Sequence, residues 1–463
     1  MREGRNDEGL HGWALRAGTE LGRYWKERMS HFGVLSYKGA GHLNSLAALS
    51  RRLVIRGHRI TFFQEPGLET RVRQYGLEFS PIGKTHRPVG EHSRTNNQRR
   101  SMSGIADLRY RIKRITDEIE MYLREAPDAI TRAGIDALII DEIALPGPTL
   151  AQMLQLPYLF VSTSVPHNFG WTVPRSLSQC NNPISHFSRL QNALLQVSAF
   201  CMCGPVRWKL DEYRRQLGLG PVRKLQKVFP ALAHIATLPE CLDFPRSLLP
   251  SNFYYTGPFV DECARRSVEF PWDRLDGRPL IYVSLGTARK IQSVVFGLIA
   301  EACEGLGLQV VISLGGSRSP EIFGELPGNP LIVKEAPQLE LIKVADIVIN
   351  HAGINTVLET LMEGKPMIAI PITHDQPALA ARLAWLGIAE VIPEKRLSVK
   401  RLRLALVKLL NNASYRDAAR EVQAKIRSAR GLEHAAEVIE EALEQSARRP
   451  FKADTGNMVA ISE

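Results

Sequence analysis

Residues 345–376 read ADIVINHAGINTVLETLMEGKPMIAIPITHDQ. The apolar run from Ile347 to Asn350 has the length of a buried strand. His351-Ala352-Gly353 interrupts it, and from Ile354 the apolar residues recur at helical spacing. Met367 to Pro371 is apolar again and makes a second strand. Strand, helix and strand in this order form a βαβ unit, whose strands run parallel. The stretch therefore predicts an α/β fold.

It also carries chemistry. A helix that begins just after a strand aims its free N–H groups and positive end at whatever lies beyond that strand, so an anion is expected there. His351 can add a donor to phosphate oxygens, and Gly353 lets the backbone approach them. Asn355 and Thr356 stand in the first helical turn. Glu359, one turn after Asn355, can accept hydrogen bonds from ribose hydroxyls. Ordinary readings exist beside these: Thr356-x-x-Glu359 is also a capping box, and a lone His after a strand is usually a satisfied loop residue. At the next strand end, Asp375 and Gln376 place an acceptor beside a group that both donates and accepts, which suits sugar hydroxyls. A helix cap before Pro377 explains Asp375 but not its pairing with Gln376.

Two other segments repeat the plan. Leu280 to Ser284, the turn Gly286-Thr287, a helix from Ile291 to Gly305 and a strand from Gln309 to Ser313 make one unit. Phe32 to Ser36, the turn Gly39-Ala40-Gly41, a helix from Leu43 to Ile55 and a strand from Ile60 to Phe63 make the other. Further strands follow at Ala137 to Ile140 and Tyr158 to Ser162. A chain of 463 residues is expected to divide into two domains, here two doubly wound, Rossmann-like sheets facing each other across a cleft. The expected bounds are an extension over 1–28, an acceptor domain over 29–255, a turn-rich linker over 256–279, a donor domain over 280–445 and a tail over 446–463. Ligands bind such sheets at the carboxyl ends of the strands, so the cleft can hold two substrates.

Ala336-Pro337-Gln338, His351-Ala352-Gly353-Ile354-Asn355-Thr356, Glu359, Gly364-x-Pro366, Pro371 and Asp375-Gln376 together resemble the donor signature of the UDP-glycosyltransferase superfamily (glycosyltransferase family 1). Within it the chain looks like the bacterial macrolide and zeaxanthin glycosyltransferases. Order and spacing agree over about 40 residues, which makes the likeness specific. It implies the two-domain GT-B fold, with His351 and the helix start on the diphosphate, Glu359 on the ribose, and Asp375 and Gln376 on the transferred sugar. Ser284, Gly286 and Thr287 match a loop that approaches the phosphates in that family, and Ala336 and Gln338 belong to the donor set. Glu335 departs from the pattern: plant and animal members carry there a Trp that stacks on uracil. Ile354 replaces another Trp found in plant members. UDP, dTDP or another nucleotide remains open.

In the first half the loop Tyr37-Lys38-Gly39-Ala40-Gly41-His42 puts an imidazole at the cleft mouth, where it can take a proton at neutral pH. A carboxylate that orients the ring helps such a base, and Asp141 at the end of the strand from Ala137 is the candidate, with Glu142 as the fallback. The resemblance assigns the same pair, His42 as base and Asp141 as partner. The expected reaction is a metal-independent, single displacement with inversion, since no Asp-x-Asp pair occurs to hold an ion. No cofactor is expected; a nucleotide sugar such as UDP-glucose is a co-substrate. The acceptor is expected to be small, hydroxylated and hydrophobic, with Val165 to Trp171, Phe187, Phe200 and Met202 as candidate lining. Two other classes compete. Gly39-x-Gly41-x-x-Asn44 with Glu65 imitates a dinucleotide fingerprint lacking its third glycine, so an NAD-dependent oxidoreductase is one alternative. An inactive binding protein of the same fold is the other.

Composition bounds the rest. Six cysteines without metal-ligand spacing suit a reducing cytosol, so a cytoplasmic location is expected. The start is charged and Gly-rich with no secretory apolar core. The uncharged window from Ile143 to Pro174 contains five prolines, which argues against a membrane span. Much of the formal net charge of +11 lies in Lys84 to Arg114, which suits a solvated face or a peripheral contact with acidic lipid. No nucleic-acid partner is expected.

Overall fold

The computed structural model describes residues 29–83, 104–166, 203–246, 249–262, 268–286, 292–316, 318–373 and 375–448. Its strands are apolar on both faces. In β1 (His31–Leu35), Phe32 and Val34 enter one core and Leu35 another. In β4 (Ala137–Asp141), Ala137 and Ile139 join the first core and Leu138 and Ile140 the second. Successive side chains point to opposite faces, so a continuous apolar run requires cover on both sides.

The first domain continues with α1 (Ala40–Ile55), β2 (Arg59–Gln64), α2 (Glu69–Gln74), β3 (Glu78–Pro81) and α3 (Gly104–Ala133). After β4 come α4 (Gly147–Leu154), β5 (Tyr158–Ser162), α5 (Gly204–Gln216), α6 (Val222–Val228), β6 (His234–Ala236) and β7 (Phe253–Tyr255). The second domain contains β8 (Leu280–Ser284), α7 (Gln292–Cys303), β9 (Gln309–Ser313), β10 (Leu331–Val333), α8 (Gln338–Val344), β11 (Ile347–Asn350) and α9 (Ile354–Met362). It goes on through β12 (Met367–Ala369), α10 (Gln376–Trp385), β13 (Ala389–Val391), α11 (Val399–Asn411) and α12 (Ser414–Ser428) to α13 (Gly431–Arg448).

Two parallel sheets result, of seven strands in the order β3-β2-β1-β4-β5-β6-β7 and of six in the order β10-β9-β8-β11-β12-β13. The expected pair of doubly wound sheets is present. In each, the chain steps outward from its first strand, then returns to that strand's other side. The reversal opens a crevice between β1 and β4 in one sheet and between β8 and β11 in the other. His42 and Asp141 flank the first crevice; Gly286 and His351 flank the second.

Two features differ from the sequence reading. α1 begins at Ala40, with Gly39 as its extended N-cap, because Ala40 and Gly41 are small and add nothing to the apolar periodicity. His42 therefore stands in the first helical turn, not in a loop. The last helix, assigned by chain order to the second domain, returns to the first. Ala435, Ala436, Ile439 and Leu443 of α13 pack in one core with Phe32, Leu46 and Leu49. Arg52 meets Glu433 at 2.7 Å, and Arg56 meets Glu440 at 2.5 Å. Periodicity shows which face of a helix is apolar, but not which sheet will cover it.

Candidate active site

His42 is held from one side of its ring. Its Nδ1 lies 2.9 Å from Asp141 Oδ2 and 2.5 Å from Thr163 Oγ1. Asp141 is 1 % exposed and is itself fixed by two backbone donors, Tyr37 N–H to Oδ2 at 3.2 Å and Ile143 N–H to Oδ1 at 3.3 Å. A nitrogen facing a carboxylate is the protonated one, which leaves Nε2 with its lone pair to accept a proton. Tyr37 closes on the same ring edge-on, with centroids 5.2 Å apart. The fallback, Glu142, instead accepts from the Ser162 hydroxyl. The register thus gives the imidazole to Asp141.

Asp141 and Thr163 come from neighbouring strand ends, with Asp141 opposite Val161 across the β4–β5 ladder. Thr163 was not among the expected site residues. Its only signal was its place just beyond a strand end. Thr163→Val keeps the side-chain shape and removes the oxygen at Nδ1. Turnover is expected to fall about 2–10-fold, the worth of one ordinary hydrogen bond, with the donor KM unchanged and Thr163→Ser near normal. Steady-state kinetics of both variants check this.

In the second crevice the turn after β11 is under strain. Ala352 adopts φ 58°, a left-handed conformation uncommon for a residue with Cβ. Buried Asn350 holds it there by accepting the Ala352 N–H at 2.7 Å. The turn delivers the chain into α9, whose N-cap Gly353 provides no side-chain hydrogen bond. The first N–H groups of α9 are thus left without a side-chain cap at the crevice, as an anion site requires. The sequence reading of Thr356 and Glu359 as a capping box does not hold, because Thr356 lies inside the helix and not at its cap.

His351 is wedged between two glycines. A Cβ on Gly286 would stand 2.8 Å from its Cε1 and Nε2, and one on Gly353 would stand 2.6 Å from Nε2. A Cβ at either position would press on the ring, and Gly286 has φ 66° besides; this adds to the close approach of phosphate expected at Gly353. Burial pushes the His351 imidazole below the ordinary histidine value, against the opposing pull of a Ser284 backbone hydrogen bond and the Asp375 carboxylate. At neutral pH it is uncharged. Its buried Nδ1 has no hydrogen-bond partner.

The other donor candidates form a second layer. Gln338, at the start of α8, donates to Glu359 Oε2 at 2.5 Å and accepts from Tyr282 OH and Ser284 Oγ, each at 3.2 Å. Ser284 thus spends its hydroxyl inside the domain, and Glu359, 2 % exposed, is bonded through Gln338. Ala336 packs at the edge of the core containing Tyr282 and Leu341. Gln376 Oε1 accepts the backbone N–H groups of Ile372 and Thr373, both at 2.9 Å. Its carbonyl end orders the loop, so of the expected donor and acceptor groups the NH₂ is the one not engaged in these bonds. Asp375 precedes α10 and makes no cap. Thr287 lies outside the described residues, as do Phe187, Phe200, Met202 and residues 167–171 of the expected acceptor lining.

The two crevices meet. Asn355 Nδ2, in the first turn of α9, donates to Gly41 O in the first turn of α1 at 2.9 Å, and Ser45 Oγ donates to Asn355 Oδ1 at 3.4 Å. The helix turn that carries His42 and the uncapped start of α9 therefore adjoin across the domain boundary.

The pattern of UDP-glucoronosyl and UDP-glucosyl transferase matches residues 121–426, about two thirds of the chain. The protein belongs to this family. Zeaxanthin glucosyltransferase of Pantoea ananas is 28 % identical over 421 residues, covering 90 % of this chain and 96 % of that one. The crystal structure of the glycotransferase of kitacinnamycin superposes with a TM-score of 0.71 at 23 % identity, covering 90 % of this chain and 99 % of the other. Glycosyltransferase VinC in complex with dTDP gives 0.63 at 19 % identity, over 90 % and 100 %. The family resemblance and the GT-B fold expected from the sequence both hold.

The chain is thus a glycosyltransferase of family 1 that uses a nucleotide-sugar donor and a small acceptor. The oxidoreductase alternative falls, since the family matched over two thirds of the chain is one of glycosyltransferases. Among the described residues, no helix of this glycosyltransferase is long and apolar enough to cross a membrane.

Proposed function

We propose that the enzyme transfers a hexose, with inversion, from UDP to a hydroxyl of a small hydrophobic acceptor. The observation that carries this reading is the contact of the two helix starts, which sets the His42–Asp141 pair beside the uncapped turn of α9. His42 Nε2 takes the hydroxyl proton as the acceptor oxygen bonds to the anomeric carbon. The bond from that carbon to the diphosphate oxygen breaks, and its electron pair leaves with the nucleoside diphosphate. Asp141 stabilises the imidazolium. The α9 N–H groups and His351 receive the growing negative charge, an electrostatic task given to a metal ion in other designs. The place of the His351 ring between the ends of β8 and β11, against Gly286 and Gly353, supports this reading.

Gly286, Thr287 and Gly353 border the diphosphate in this reading, with Asn355 and Thr356 in the helix turn that meets it. Ser284, Ala336 and Gln338 support Glu359 toward the ribose, while Asp375 and the Gln376 NH₂ meet the sugar. The zeaxanthin glucosyltransferase relative favours a hydroxylated, carotenoid-like acceptor. A cytoplasmic location suits a nucleotide-sugar donor. The basic stretch 84–114, of which Arg109, Arg111, Lys113 and Arg114 lie on α3, is proposed as a peripheral contact with acidic lipid.

The test is turnover of UDP-glucose, dTDP-glucose and GDP-mannose with zeaxanthin and a panel of hydroxylated terpenoids, sterols and polyketides. UDP-glucose is expected to be consumed, to give a β-glucoside from its α-linked sugar, and to be unaffected by EDTA. Preference for dTDP-glucose would replace the donor assignment. Loss of turnover in EDTA with recovery in Mn²⁺ would remove the metal-independent step.

A further inference from the structure

The side chain of Asn355 is committed away from its own domain. Its amide has one orientation that satisfies both neighbours: Nδ2 donates to Gly41 O at 2.9 Å, and Oδ1 accepts from Ser45 Oγ at 3.4 Å. Turning the amide over would set oxygen against the Gly41 carbonyl. The fit is close, since a Cβ on Gly41 would stand 2.9 Å from Nδ2. Both partners lie in the first turns of α1, on either side of the proposed base His42. The link therefore joins the start of the helix bearing the base to the start of the helix facing the diphosphate. Two positive helix ends repel each other when no anion lies near, so their contact needs a neutral bridge, and an amide that donates to one while belonging to the other provides it.

We propose that Asn355 is a positioning residue that spans the cleft and holds His42 in register with the donor site, through its side chain. The contribution of α9 to the diphosphate then comes from the backbone of its first turn. The inference rests on the proposed roles of His42 and the UDP donor for its affinity and turnover measurements, and not for its exchange measurement.

Asn355→Ala removes both bonds and leaves the backbone N–H groups in place. Asn355→Asp keeps the acceptor for Ser45 and sets a carboxylate oxygen against the Gly41 carbonyl, so it should open the contact at least as much. Three readouts apply to the full chain: hydrogen exchange of the peptide covering residues 40–46, the Kd of UDP by calorimetry, and transfer from UDP-glucose to zeaxanthin. Both variants are expected to exchange several-fold faster at 40–46 with an unchanged melting temperature. For Asn355→Ala the UDP Kd should stay within about 2-fold while kcat falls about 10-fold, the worth of one to two hydrogen bonds, at constant KM for UDP-glucose. Unchanged exchange at 40–46, or a UDP Kd weakened 10-fold with exchange unchanged, would overturn the proposal and return the side chain to the diphosphate. If the wild-type chain binds no UDP, the donor reading fails, and the exchange measurement still decides the role of Asn355.

Discussion

Replacing His42 with alanine is expected to slow sugar transfer by about 10²–10⁴-fold, the range for loss of a general base, with little change in nucleotide affinity. The side chain hydrogen-bonds to Asp141 and Thr163 of its own domain, so its removal leaves the start of α9, the proposed anion site, in place. Asp141→Asn tests the mechanism more sharply. The amide can still occupy the space and accept the Ile143 N–H through its oxygen, but the Tyr37 N–H, which donates to the other carboxylate oxygen, then faces the NH₂ and loses its acceptor. It carries no charge to stabilise an imidazolium, and its NH₂ can donate to a bare Nδ1, which favours the tautomer whose Nε2 is already protonated. A loss close to that of His42→Ala is expected, and the double variant should be scarcely worse than either alone, because the two groups act as one unit. Calorimetry with UDP and steady-state kinetics separate binding from turnover. A His42→Ala enzyme with near-normal kcat would end the assignment.

The fold was legible because burial on both faces leaves a strong trace: Leu138, Ile139 and Ile140 enter alternate cores, and the run that results can only be a covered strand. The pairing of His42 with Asp141 was legible for a related reason. Asp141 ends β4 and His42 stands in the first turn of the helix after β1, beside the same crevice, although 99 residues separate them. What sequence could not convey was contact made by tertiary approach alone. Thr163 looked like any hydroxyl after a strand, and nothing in Gly41 or Asn355 marked them as neighbours across 314 residues. Gly353 was recognised as a position that needs glycine, but a one-dimensional pattern does not say what fills the space beside it. The pairing of α13 with α1 was hidden likewise, since ion pairs such as Arg52–Glu433 become visible only once the helices are packed.

Gly353→Ala is expected to weaken nucleotide-sugar binding by about 10–100-fold, the cost of displacing a donor to a charged group. Two effects of the methyl group must be kept apart. Gly353 has φ −69° and ψ 130°, a conformation open to alanine, so backbone strain contributes little. The N-cap preference for Gly over Ala costs no more than about 1 kcal/mol. The larger effect is steric: the new Cβ would meet His351 Nε2 at 2.6 Å and Cε1 at 2.7 Å, far inside contact distance. The ring has little room to move, because Gly286 approaches the same Cε1–Nε2 edge so closely that a Cβ there would stand 2.8 Å from it. The imidazole must rotate or push the turn aside, and either movement takes it off the diphosphate. A double-mutant cycle isolates this coupling. In a His351→Ala background the ring is gone, and adding Gly353→Ala should then cost almost nothing in affinity. If Gly353→Ala weakens UDP-glucose binding equally in both backgrounds, the glycine acts on the phosphate directly, and His351 is not the group for which the space is kept.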